Sequence, residues 1–323
     1  MKAVITDYQY EDIAQEREII RGAGIALEEY QIKEPKRLIG LVDDADAIVT
    51  QYSDINADVI EHLKHCKMII KYGIGVNNID VDAATKKGIY VCNVPDYGVE
   101  EVSDHAIALM LAMVKKLATI TDALKGGDWG YSSIVPLYRF SEATVGLVGF
   151  GRIPQLVARK LSGFGVKILA YDPFINMEQA ERLNVTSVPF ETLCRESDYI
   201  SIHCPLSKET THLFNRATFA MMKNTAVLIN TARGGVVEEA ALIEALEKRI
   251  IAGAGLDVFE NEPVDKENPL LHMDHVIATP HCAWYSIESI NGLQRKVAEE
   301  VVNILQGNEP FHCVNYRELR NKS

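Results

Sequence analysis

Short apolar runs rich in β-branched residues alternate with helical patterns from one end of the chain to the other. Ala3-Val4-Ile5, Ala47-Ile48-Val49, Met68-Ile69-Ile70 and Ile89-Tyr90-Val91 predict buried strands, with amphipathic stretches such as Asn56 to Lys64 between them. Buried strands separated by helices imply a parallel sheet covered on both faces. A second series runs through Thr144 to Gly149, Val166 to Ala170, Tyr199 to Ile202, Ala226 to Ile229, Ala252 to Leu256 and Val276 to Ala278. Six strands with intervening helices are the inventory of a doubly wound nucleotide-binding sheet. The first four strands are too few to share it, so the expected fold is α/β with two doubly wound parallel-sheet domains. One helix is predicted from about Glu100 to Leu124, apolar nearly all round its middle and therefore buried in the core or at a domain or subunit junction. Another is predicted from Ser286 to Gln306, ending at Gly307 as a C-cap.

Length and charge narrow the function. The 323 residues suit two domains, and a formal charge of −12 argues against nucleic-acid and membrane-surface partners. The longest uncharged stretch of the first long helix, Ala106 to Val114, is too short to span a bilayer. The N-terminus reaches Asp7 too soon for a secretory signal, and six scattered cysteines suit a reducing compartment, so a cytoplasmic location is expected.

Gly149-Phe150-Gly151-Arg152-Ile153-Pro154 follows a strand and opens a helix, where a dinucleotide fingerprint belongs. Gly149 allows the tight turn, Gly151 admits a pyrophosphate, and the amides of Arg152 and Ile153 face it at a helix N-terminus. Pro154 replaces the third glycine, which serves helix packing, and a proline in the first turn sacrifices no intrahelical bond. Asp172, 21 residues beyond Gly151, ends the next strand and can accept hydrogen bonds from ribose hydroxyls while repelling a 2′-phosphate. NAD rather than NADP is the expected cofactor.

Three strand ends of the second series carry unusual residues: Arg233 in Asn230 to Gly235, Glu262 in Leu256 to Pro263, and His281 after Thr279-Pro280. Carboxyl ends of parallel strands bind ligand, so the three should converge near the cofactor. Their chemistry fits hydride transfer to a carbonyl. His281 supplies the proton as general acid, Glu262 stabilises the protonated ring, and Arg233 grips a substrate carboxylate and polarises the carbonyl. Taken singly, Arg233 has the alternative of a surface or salt-bridge residue, His281 that of a core or solvated one, and Asp172 that of a helix-capping or turn acid.

Lys71 to Asp80, the Gly149 turn, His203-Cys204-Pro205-Leu206 with Thr210, Thr231-Ala232-Arg233-Gly234, Asp257 to Pro263 and Thr279-Pro280-His281 occur in one order along the chain. In these segments the chain resembles the D-isomer-specific 2-hydroxyacid dehydrogenase family over essentially its full length. The resemblance implies Arg233, Glu262 and His281 as catalytic residues and a 2-oxo or 2-hydroxy acid as substrate. It implies Asp257 near the nicotinamide amide, Cys204, Pro205 and Thr210 on the adenine side, Thr231 and Ala232 at the cofactor, and Ile74 and Gly75 at the substrate. It also implies a discontinuous flavodoxin-like substrate domain, 1–98 with 287–323, and an inserted Rossmann NAD-binding domain, 99–286. The active site then lies in a hinged cleft, and the family is usually built as homodimers through the helix beginning near Glu100.

Within the family, His281 to Ser286 and Cys92 to Pro95 with Val99-Glu100-Glu101 most resemble the C-terminal-binding-protein branch. The resemblance gives Trp284 a place against an apolar substrate tail, with ordinary core packing as the alternative, and Lys71 a place near the substrate carboxylate. Two other readings stay open: an NADH-sensing interaction protein, and the same chemistry on a phosphorylated acid such as 3-phosphoglycerate. The chain ends soon after Cys313-Val314-Asn315, so no regulatory serine-binding domain is expected. No metal site is expected. Asn78 to Asp82 lacks the glycine and terminal glutamate of a calcium loop, and the pairs His62/His65 and His272/His275 lack a third ligand.

Overall fold

The structure, a computed structural model, describes residues 1–320. Among the described residues the named strands all pair in parallel, in two separate sheets. The chain divides into one unit of Met1–Gly98 with Tyr285–Ser323 and a second of Val99–Trp284. The sequence expectation put the return at residue 287, two residues later.

The first unit holds β1 (Lys2–Ile5), β2 (Ala26–Glu29), β3 (Ala47–Thr50), β4 (Met68–Lys71) and β5 (Tyr90–Cys92). Their order is β2-β1-β3-β4-β5, the doubly wound arrangement of flavodoxin-like sheets. Four of these strands coincide with the predicted apolar runs. The fifth, β2, reads Ala-Leu-Glu-Glu and lies on an edge with no fully buried residue, so it shows no continuous apolar signal. One face of the sheet packs on the helix Ile287–Leu305, whose Leu293, Val297, Val301 and Ile304 share a core with Ile5, Val49 and Ile70. Ser286 caps this helix in a reciprocal capping box with Ser289, and Gly307 (φ 89°) follows its C-cap.

The polar tail, which the sequence left without a role, covers the other end of this sheet. Asn315 is buried, and its side chain accepts from Val91 N (2.9 Å) and donates to Ile89 O (3.0 Å), tying the chain to the edge strand β5. An edge strand covered in this way offers no open row of hydrogen-bonding groups.

The second unit holds β6 (Thr144–Val148), β7 (Lys167–Tyr171), β8 (Thr186–Ser187), β9 (Tyr199–Ile202), β10 (Val227–Asn230), β11 (Gly253–Leu256) and β12 (Val276–Ala278). The order β12-β11-β10-β9-β6-β7-β8 is the Rossmann arrangement with one added strand, and its direction reverses between β6 and β9. Six strands match expectation. The seventh, the two-residue β8, is another edge element.

The predicted long helix is a correction. It is two helices, Val99–Val114 and Leu117–Lys125, broken where Lys116 takes a left-handed φ of 48°. The first buries Val102, Ala106, Leu109 and Met110 against its sheet, as its apolar girth required, whereas the second buries no residue at all. Two consecutive lysines mark the point where the helix loses its cover. Among the described residues no helix is long and apolar enough to cross a membrane.

Candidate active site

The glycine turn stands at the β6–β9 switch point. Gly149 follows β6 with φ 93°, and a Cβ there would meet Cys204 N and His203 C at 3.0 Å, so the turn lies against the loop leaving β9. Only glycine satisfies both conditions. Gly151 is the N-cap of the helix Arg152–Leu161 and caps it with no side chain, so the first-turn amides of Arg152 and Ile153 look outward. A Cβ on Gly151 would meet nothing within 4 Å, which leaves clear space before a helix N-terminus. These features fit a pyrophosphate.

Asp172, directly after β7, accepts from Phe150 N through Oδ2 and from Phe174 N through Oδ1, both at 2.8 Å. It therefore braces the glycine turn, a role the sequence did not reveal. A carboxylate has about four acceptor positions, so two remain for ribose hydroxyls. Replacing Asp172 by alanine should cut the ratio of NADH to NADPH catalytic efficiency by about 10–100-fold, as loss of a charged hydrogen bond requires. Parallel kinetics with the two coenzymes measure it, and an unchanged ratio would refute the assignment.

Cys204 is buried and its thiol is pushed up to about 11 by burial, so it is wall rather than nucleophile. The Thr210 hydroxyl donates to Pro205 O (2.6 Å) and accepts from Ser207 N (2.7 Å), closing the loop after β9.

The three reactive side chains meet at the ends of β10, β11 and β12. Asn230, the last residue of β10, accepts from Ala232 N and donates to Arg233 O, both at 3.0 Å, and so shapes the Thr231-Ala232-Arg233 turn. Arg233 Nη1 donates to Ala232 O at 2.7 Å. Gly234 then passes so close to the next loop that a Cβ would lie 1.8 Å from Phe259 O. From that loop, Glu262 accepts Phe259 N at 3.0 Å and faces His281 Nδ1 at 2.6 Å. Burial pushes the Glu262 carboxyl up, but the His281 hydrogen bond, the Phe259 amide and the nearby Arg233 charge hold it below the usual range. With Nδ1 engaged, Nε2 is the ring nitrogen left to face a substrate.

His281 itself sits at φ 52°, held by its amide on Asp257 O (2.8 Å) and Thr279 O (3.1 Å). Trp284 Nε1 donates to His281 O at 2.9 Å, so the indole braces the histidine backbone. Asp257, placed by resemblance near the nicotinamide amide, is fully buried. Its carboxylate accepts from Thr279 Oγ1 (2.6 Å), Cys282 N (3.0 Å) and Ala283 N (2.8 Å), which makes it the anchor of the histidine loop.

His105 extends that anchor and was missed by sequence reasoning. From the helix Val99–Val114 its Nε2 lies 2.9 Å from Thr279 Oγ1 and 3.6 Å from Asp257 Oδ1. Its only sequence signal was a polar ring beside an otherwise apolar helical stretch. His105, Asp257 and Cys282 bring three possible metal-ligand atoms within 4.8 Å of one another, but all three are engaged in this hydrogen-bond network.

Lys71, Ile74 and Gly75 belong to the first unit. Lys71 ends β4, its Nζ donates to Gln51 O, and it stands 5.4 Å from the centre of the Tyr52 ring. Asn93 Nδ2 holds Ile74 O at 2.7 Å. The 51–53 loop that receives Lys71 is wrapped around Asp7, which accepts from Ser53 Oγ (2.6 Å), Tyr52 N (2.7 Å), Gln51 N and Ser53 N (both 3.0 Å). Burial favours the neutral Asp7 acid, yet these donors keep its carboxyl below the usual range. Ionised Asp7 thus adds stability that is complete above its unfolded pKa of about 3.9 and is lost as pH falls through the lower folded value. Asp7→Asn should cost about 1–3 kcal/mol at pH 7 and flatten the stability curve below pH ~4. Urea unfolding across that range tests both.

Comparison with known proteins agrees with this geometry. Residues 107–283 match the family model for the D-isomer specific 2-hydroxyacid dehydrogenase, NAD binding domain. The chain is 40% identical over 289 residues to a glyoxylate reductase of Korarchaeum cryptofilum, spanning 88% of this chain and 87% of that one. It belongs to the D-isomer specific 2-hydroxyacid dehydrogenase family. A D-3-phosphoglycerate dehydrogenase of Archaeoglobus fulgidus is 38% identical over 307 residues, covering 94% of this chain but 58% of the relative. The D-lactate dehydrogenase of Aquifex aeolicus, solved with NAD and lactic acid, superposes with a TM-score of 0.86 at 28% identity, covering 99% of this chain and 98% of that one. As a 2-hydroxyacid dehydrogenase, this protein is an NAD-dependent oxidoreductase, and the Gly149 turn with Asp172 fits that cofactor.

Proposed function

We propose that this dehydrogenase reduces a small, unphosphorylated 2-oxo acid of the glyoxylate or pyruvate size to its D-2-hydroxy acid. The hydrogen-bonded pair of Glu262 and His281, with the Arg233 charge beside it, carries the reading. NAD, when bound, supplies the hydride. Arg233 grips the substrate carboxylate and polarises the adjacent carbonyl, and His281 delivers a proton from Nε2 to the developing alkoxide. Glu262 offsets the positive charge of the protonated ring. In the oxidative direction neutral His281 takes the hydroxyl proton. Lys71, Ile74 and Gly75 serve the substrate on this reading, and Trp284 serves it through the histidine backbone it braces, in keeping with a resemblance to the C-terminal-binding-protein branch.

The resemblance to a glyoxylate reductase, 40% identical over 289 residues, supports the unphosphorylated acid. NADH oxidation with glyoxylate, pyruvate, hydroxypyruvate and 3-phosphohydroxypyruvate tests the proposal. Turnover highest with the phosphorylated acid would overturn the substrate, and NADH binding without turnover on any acid would favour a sensing role.

The same reading makes the protein a homodimer. The short helix Leu117–Lys125 and the loop after it leave Leu124, Trp129, Tyr131 and Tyr138 at 52%, 90%, 75% and 66% exposure. Large exposed aromatic and aliphatic side chains concentrated in one segment support a protein contact surface there. Sedimentation equilibrium is expected to give twice the chain mass, and a monomer at micromolar concentration would refute this.

A further inference from the structure

Cys92 and Cys313 face each other where the C-terminal stretch runs antiparallel to β5. They form an antiparallel bridge, flanked by Val314 N to Val91 O (2.8 Å) and Asn93 N to His312 O (3.4 Å). Both hydrogen bonds join the neighbours and neither joins the pair itself. That is the non-hydrogen-bonded antiparallel register, in which Cα atoms approach to about 4.5 Å and side chains stand closest. Disulfides require Cα separations of about 4.4–6.8 Å. The two side chains stand on the same face of the pair, and Cys313 Sγ donates to Asn315 Oδ1 at 3.1 Å.

We infer that Cys92 and Cys313 form a redox-sensitive dithiol that closes to an intramolecular disulfide on exposure to a small disulfide oxidant, locking the C-terminal stretch onto β5. The pair is asymmetric in the way such chemistry needs. Cys313 is partly exposed, while Cys92 is fully buried. The Cys92 hydrogen bond holds the Cys313 thiol below its usual range, which makes it the attacking sulfur. Contact with Cys313 and burial push Cys92 up, so it resolves second.

With oxidised glutathione, the Cys313 thiolate attacks one glutathione sulfur. The glutathione S–S bond breaks, and one glutathione thiolate leaves and takes up the proton that Cys313 had lost. Glu300, whose carboxylate lies against Cys92 and is held above its usual range by burial, receives the Cys92 proton. The Cys92 sulfur then attacks Cys313 Sγ and expels the second glutathione, which collects that proton. Two protein thiols are oxidised to one disulfide, and one glutathione disulfide is reduced to two thiols.

The test uses native full-length protein incubated with oxidised glutathione, alkylated with iodoacetamide, digested and analysed by mass spectrometry. The expected product is a peptide pair linked through Cys92 and Cys313, abolished in Cys313→Ser and reversed by dithiothreitol. Hydrogen exchange at the Val314 amide should slow by about tenfold or more in the oxidised protein, because the strand can no longer lift from β5. Full alkylation of both cysteines after oxidation would overturn the inference. So would a lasting glutathione adduct on Cys313 or a link to any other cysteine. The wild-type measurement stands without the variant, should that variant fold poorly.

Discussion

Replacing His281 by alanine is expected to lower kcat for 2-oxo acid reduction by about 10²–10⁴-fold, the usual worth of a positioned general acid. NADH affinity should hold, because the glycine turn and Asp172 follow β6 and β7, several strands along the sheet from the histidine loop after β12. Isothermal titration with NADH separates the two effects, and a fall in coenzyme binding that matches the fall in kcat would refute the role. Glu262→Gln tests the partner of the histidine. The Glu262 carboxyl lies below its ordinary range and so remains charged at pH ~5 and above. Removing that charge while keeping an acceptor for His281 Nδ1 should lower kcat for reduction by about 10–100-fold at pH ~7, the worth of one charged hydrogen bond.

Gly234→Ala is expected to be nearly as damaging, although residue 234 carries no reactive group. An added methyl would meet Phe259 O at 1.8 Å and Glu260 N at 2.4 Å, backbone atoms that cannot rotate aside. The loops after β10 and β11 must then separate, at a cost of about 1–3 kcal/mol in stability. The same displacement moves Arg233 from Glu262, and a shift near 1 Å at a reacting centre costs about 10²-fold in rate. Denaturant midpoints and kcat/KM together test this. A variant with unchanged stability and unchanged kcat/KM would show that the loops have slack.

Strands with two buried faces were legible because they read as unbroken apolar runs: Ala3 to Ile5, Ala47 to Val49 and Ala226 to Ile229 all lie inside sheets. The two that escaped, Ala26–Glu29 and Thr186–Ser187, are edge strands. An edge strand need bury only part of itself, so its pattern resembles a loop. The helix break at Lys116 was hidden for a related reason. Leu117, Ile120 and Leu124 continue the apolar spacing, but the sheet they would cover has ended. At the site, residues with distinctive chemistry at strand ends could be read off. The supports could not: the Phe150 amide on Asp172, Thr279 and His105 on Asp257, and the Trp284 indole on His281 O. All but the last join segments whose proximity depends on the finished fold, and the last, only three residues apart, follows the left-handed turn at His281.

The split of the first unit, Met1–Gly98 with Tyr285–Ser323, orders events during synthesis. Residues 99–284 are contiguous and can close their sheet as soon as they leave the ribosome, since their contacts need no later segment. The opening 98 residues have all five of their strands early but lack the helix Ile287–Leu305 that seals one face, and the stretch around Asn315 that covers β5. Ile5, Val49 and Ile70 therefore stay bare through most of translation. The earliest-made part of the polypeptide is the last to mature, and chaperone dependence should concentrate there.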